Sequence, residues 1–110
     1  MSKRIDAVLV EDILEAIDKI DKYVLDIDKG QFEQDDMRID AVVRNLEIIG
    51  EAANRISKEL KEKHSYIDWV QIRGLRNRIV HEYFGVSTNL VWTIVQKDLP
   101  VLRSYLIKLI

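Results

Sequence analysis

The stretch Asp6-Ala7-Val8-Leu9-Val10-Glu11-Asp12-Ile13-Leu14-Glu15-Ala16-Ile17-Asp18-Lys19-Ile20-Asp21-Lys22-Tyr23-Val24-Leu25-Asp26-Ile27 decides the architecture. Its apolar residues Val8, Leu9, Ile13, Ala16, Ile17, Ile20, Tyr23, Val24 and Ile27 recur in steps of three and four, the period of an amphipathic helix. Asp12, Glu15, Asp18, Lys19 and Lys22 fall on the other side, where Glu15–Lys19 and Asp18–Lys22 are opposite charges four apart. Gly30, following Asp28-Lys29, is placed to close this helix as a C-cap.

Outward from that helix the same pattern repeats. A second helix starts at Asp35 or Asp36, whose charge suits a helix N-terminus. Its stripe runs Met37, Ala41, Val42, Leu46, Ile49, Ala52, Ala53, Ile56 and Leu60. Gly50 costs such an interior about 1 kcal/mol relative to Ala; with Ala52 and Ala53 beside it, close approach of a neighbouring helix is the reason it is there. His64-Ser65-Tyr66-Ile67 reads as a connection, and Asp68 caps a third helix reaching to about Tyr83, stopped by Gly85. Ser87 caps a fourth, with Val86 and Val91 as a hydrophobic staple. At Pro100 that last segment either kinks or gives way to a fifth helix capped by Asp98. Four helices joined by short turns predict an all-α chain, residues 1–110 as one domain, folded as an up-and-down antiparallel four-helix bundle.

Composition agrees. The chain has 110 residues, 47% of them hydrophobic, with four Gly and one Pro, too few for a turn-rich β sandwich. It has no cysteine, which excludes a disulfide framework and thiolate metal sites and suits a reducing cytoplasm. Seventeen Lys and Arg stand against nineteen Asp and Glu, so any nucleic-acid contact must come from a local cluster. Glu11, Asp12, Glu15 and Asp18 interrupt the first apolar stretch, so it reads neither as a signal peptide nor as a membrane span.

The third helix carries the unusual chemistry. With Leu75 at zero on a helical wheel, Ile79 falls at ~40°, Ile72 at ~60°, Tyr83 at ~80°, Trp69 at ~120° and Val80 at ~140°. Arg76, at ~100°, then lies inside the apolar arc, and Arg73, at ~160°, at its edge. An unpaired guanidinium there is costly, and Glu47 or Glu51 of the second helix is the ordinary partner for Arg76. Asn77 and His81 form a second polar strip beside Gly74. Arg73 and Arg78 read equally as a basic patch or as plain surface charge. His64 reads as a loop residue.

Together these residues resemble the signature of the HEPN superfamily. Arg76-x4-His81-x-Tyr83, with Asn77 after the arginine, matches the motif of the HepT-type toxins of two-gene toxin–antitoxin modules. The resemblance extends through Asn45-Leu46-Glu47-Ile48-Ile49-Gly50-Glu51-Ala52-Ala53, Trp69, Arg73-Gly74-Leu75, Glu82, Phe84-Gly85, Val91-Trp92 and Asp98-Leu99-Pro100. It implies an all-α homodimer and a metal-independent endoribonuclease, needing no cofactor, that cleaves RNA by attack of the 2′-OH. The same resemblance makes Arg76 and His81 the catalytic pair and Asn77 a supporting residue. Arg73 is a candidate for holding RNA, and Glu51 a weaker candidate for orienting Arg76 or His81. Tyr83 is the residue to which a partner, a minimal nucleotidyltransferase antitoxin, would transfer AMP.

The residue types suit this chemistry. RNA supplies its own nucleophile, so the protein must move protons, as His81 can near neutral pH, and neutralise charge, as Arg76 can. Five residues apart on one helix is ~140°, so Arg76 and His81 of one chain diverge, and a two-fold axis would bring one chain's histidine to the other's arginine. No His and carboxylate cluster has metal-ligand spacing. Two other readings compete: a non-catalytic HEPN module that binds a nucleotidyltransferase or a nucleotide, and a purely structural helical dimer.

Overall fold

The computed structural model describes the backbone of residues 3–81 and 85–109 and the side chains of residues 5–79 and 86–109. The fold is all-α apart from one pair of two-residue strands among the described residues.

Helix α1, Lys3–Tyr23, buries Ile13, Ile17 and Ile20. It ends four residues earlier than its apolar spacing suggests. The chain turns at Asp26, which adopts φ 62°, a left-handed conformation that Asp tolerates better than most residues. Gly30 is therefore not a C-cap; it lies inside the short helix α2, Lys29–Glu33. The reason is local chemistry. Asp28 accepts from the Gln31 backbone N–H at 2.8 Å, while the Gln31 side chain accepts from the Asp28 N–H at 2.9 Å, a reciprocal capping box that starts a new helix. Phe32 of α2 is fully buried, its ring 5.3 Å from that of Trp92.

Helix α3, Asp36–Arg55, begins at Asp35, whose carboxylate accepts the Arg38 backbone N–H at 3.0 Å. Two contacts show that α3 runs antiparallel to α1. Arg38 Nε donates to the Tyr23 carbonyl at 2.8 Å at one end. At the other, the buried Asp6 carboxylate accepts from the Ser57 N–H at 2.9 Å and the Ser57 hydroxyl at 2.6 Å. The expected continuation of this helix through Leu60 does not occur. Ile56 turns extended at ψ 141°, and Ser57 caps a separate helix α4, Lys58–Lys63. Met37, assigned to the apolar stripe, is 84% exposed, and Val8 is half exposed.

The third predicted helix is divided as well. Asp68 caps α5, Trp69–Arg73; the chain turns at Gly74, and α6 runs only over Leu75–Ile79. Val80–His81 then forms strand β1, paired antiparallel with β2, Gly85–Val86. Two β-branched residues in sequence, Ile79 and Val80, favour this exit from the helix, and the Ile79 carbonyl accepts from the Ser87 N–H at 2.8 Å. Ser87 caps α7, Thr88–Thr93, as its sequence indicates. A π-helical turn over Ile94–Asp98 leads into α8, Leu99–Ile107. Neither alternative for Pro100 describes this segment fully. Asp98 keeps helical backbone angles and makes no capping bond, and the ladder passes into α8 through the Leu99 N–H to the Ile94 carbonyl.

Ile79, Ile94, Leu99 and Leu106 complete the core against α1 and α3. Glu15 and Lys19 pair as expected at 3.5 Å, but Asp18 turns to Arg103 of α8 at 3.1 Å rather than to Lys22. No described helix is long and apolar enough to cross a membrane.

Candidate active site

The site begins with an absent side chain. A Cβ on Gly50 would lie 3.3 Å from the Ile72 carbonyl oxygen and 3.4 Å from that of Arg73. The backbones of α3 and α5 therefore meet at this point, as the small residues of α3 suggest. Beside the crossing, Glu47, Glu51 and Asn54 of α3 face Arg73, Arg76 and Asn77, with Gly50 between, around a cleft of 260 Å³. Arg73, Arg76, Asn77 and Glu51, four of the residues singled out by sequence, thus share one concavity.

Arg76 occupies it differently from its wheel position. It is exposed rather than set in an apolar arc. That arc drew Trp69 and Val80 onto the same helix as Arg76, whereas Gly74 changes the phase between α5 and α6 and Val80 has left the helix. Within α6, Leu75 and Ile79 point inward while Arg76 and Asn77 face solvent. Among the described residues neither Arg73 nor Arg76 forms an ion pair, so the suggested pairing of Arg76 with Glu47 or Glu51 is not made.

The other cations divide. Arg78 is half-buried and held by the Asp98 carboxylate at 3.4 Å, outside the cleft. Lys61 stands near Arg73; burial and then the Arg73 charge push its ammonium below the ordinary lysine pKa, while Asp6 opposes them. His64 ends α4 with Nδ1 3.1 Å from the Tyr66 hydroxyl and does not line the cleft. His81 has its backbone in β1, so the ~140° separation from Arg76 that a continuous helix would impose does not apply. Its side chain, and all of Tyr83, lie outside the described residues. Among the described residues no group of three or more His, Asp or Glu is arranged to hold a metal ion.

Two cleft residues escaped the sequence reading. Asn54 was not singled out, and Glu47 was considered only as a partner for Arg76. Their signal was the spacing Glu47, Glu51, Asn54, which keeps one face of a helix on the side of Gly50.

Residues 13–109 match the family model described as ribonuclease HepT-like. The chain belongs to the HepT-like ribonuclease family. A Methanocaldococcus jannaschii protein provisionally named an RNase is 40% identical over 104 residues, 94% of this chain and 95% of its own. A second, from Caldanaerobacter subterraneus and named likewise, is 39% identical over 95 residues, 86% of this chain and 85% of its own. A Thermococcus cleftensis protein named as a probable ribonuclease HepT is 38% identical over 100 residues, 91% of each chain. No solved structure matches the chain. The HepT-like match spans both walls of the cleft, α3 and α5–α6.

Proposed function

We propose that this chain is a metal-independent endoribonuclease, the toxin of a toxin–antitoxin pair. The observation that carries this reading is the gathering of Arg73 and Arg76, which form no ion pair among the described residues, with Asn77 on one wall of a solvent-open cleft. The 2′-OH of a ribose attacks the adjacent phosphorus, the bond to the 5′ oxygen breaks, and the products carry a 2′,3′-cyclic phosphate and a 5′-OH. Arg76 holds the phosphate bidentately and stabilises the charge that grows on its oxygens. Asn77 supports it, and His81 transfers a proton. Two copies about a two-fold axis line one composite site, each motif completing the other. A minimal nucleotidyltransferase silences the toxin by transferring AMP from ATP to the Tyr83 hydroxyl, with release of pyrophosphate, which adds negative charge and bulk to the motif.

RNA cleavage in EDTA tests the reading. Wild-type protein is expected to release cyclic-phosphate ends, and His81→Ala to lose about 10²–10⁴-fold in rate while remaining folded. Absence of cleavage by the unmodified wild type would overturn it in favour of a non-catalytic module that binds the nucleotidyltransferase.

A further inference from the structure

The two walls of the cleft are chemically opposite. Arg73, Arg76 and Asn77 present donors, while α3 presents two carboxylates and one amide, Glu47, Glu51 and Asn54. A phosphodiester alone accounts for the first wall and is repelled by the second. A whole nucleotide has use for both, since it pairs an anionic phosphate with a base edge that can carry donors.

We propose that the α3 wall reads the Watson–Crick edge of a guanine next to the scissile phosphate, so that the enzyme cuts single-stranded RNA beside guanosine. The inference rests on the ribonuclease reading above. Guanine alone among the four bases sets two donors, N1–H and N2–H, side by side, matching the two oxygens of a carboxylate. Its O6, next along the edge, accepts from an amide. Glu51 and Asn54 stand three apart on α3, neighbours on one helical face, and supply that carboxylate and that amide in order. Cytosine and adenine place a ring-nitrogen lone pair beside their amino group, and uracil flanks N3–H with two carbonyl oxygens. Each would set an acceptor against the Glu51 oxygens and leave a polar group unpaired, which discriminates far more strongly than shape. Glu47, one turn earlier, keeps phosphate off the α3 side and so fixes which end of the nucleotide faces which wall. Base edges are open to such reading in single strands.

The test uses the full-length protein and four uridine oligoribonucleotides, each with one central guanosine, inosine, 7-deazaguanosine or adenosine. Inosine lacks only the N2 amino group, and 7-deazaguanosine keeps the whole Watson–Crick edge. Cleavage is expected at the bond beside guanosine, with kcat/KM unchanged for 7-deazaguanosine and about ten- to a hundredfold lower for inosine and for adenosine. Asn54→Ala is expected to shrink the guanosine-to-adenosine ratio, whereas a merely structural role would scale both rates alike. Equal cleavage of all four oligonucleotides, or a loss with 7-deazaguanosine and not with inosine, overturns the inference and leaves the ribonuclease reading standing. Cleavage of none overturns both.

Discussion

At Gly50 a hydrogen atom in place of a side chain sets how near α3 and α5 come, and hence how wide the cleft is. An alanine there would gain about 1 kcal/mol of helix propensity against two carbonyl oxygens that must retreat by a few tenths of an ångström. A larger side chain cannot be absorbed in this way. Gly50→Leu is expected to lower stability by about 1–3 kcal/mol, read as a fall in Tm; an unchanged Tm would mean that α5 is not held against α3 at this point. Gly50 was legible in the sequence because Ala52 and Ala53 lie beside it in a helix that does form. That Arg76 is exposed and lines the cleft was not legible from the wheel, since a wheel presumes a continuous helix and Gly74 interrupts this one. The clasp between Asp6 and Ser57 could not be read at all, because two residues 51 positions apart share no periodic signal of contact.

At the scale of elements, the helix starts were the readable part. Asp35, Asp68 and Ser87 each accept a backbone N–H from the first turn of their helix, an interaction contained within four residues and therefore written in local sequence. Helix ends were harder, because they depend on distant groups: after α3 the Asp6 carboxylate accepts the Ser57 N–H, and after α6 the Ser87 N–H donates to the Ile79 carbonyl. The cap at Asp35 also makes α3 sensitive to acid. The Arg38 backbone N–H, and then its guanidinium, hold the Asp35 carboxyl below its ordinary value of 3.8. A carboxyl with a depressed folded pKa binds fewer protons folded than unfolded, so its contribution is complete above the unfolded value and is lost as pH falls through the folded one. Asp35→Asn keeps the shape of the cap and removes its charge. Urea melts should show the largest gap between wild type and Asp35→Asn at neutral pH, closing below the ordinary carboxylate range. A gap that widens on acidification would contradict this account.

For the molecule as a whole, an all-α class was legible from composition and period, while the division of the predicted helices into shorter ones was not. The chain measures 42 × 30 × 20 Å and carries a net charge of −2, so its hold on RNA must be local. If Arg73 and Arg76 of one chain make the phosphate contacts, the logarithm of RNA affinity should fall against that of salt with a slope of about −1.4. A composite site using both protomers should give about −2.8. Sedimentation at micromolar concentration supplies the companion result: a dimer is expected, and a monomer would remove the composite site. The Asp6–Ser57 clasp gives the fold a further consequence, one of time. During synthesis α1 emerges first, yet its partner strip on α3 and the serine that closes the pair follow up to 51 residues later. At about 5–20 residues per second, the apolar face of α1 stands uncovered for roughly 3–10 s on every ribosome that makes this chain, and the acidic residues along its other face are what keep it in water meanwhile.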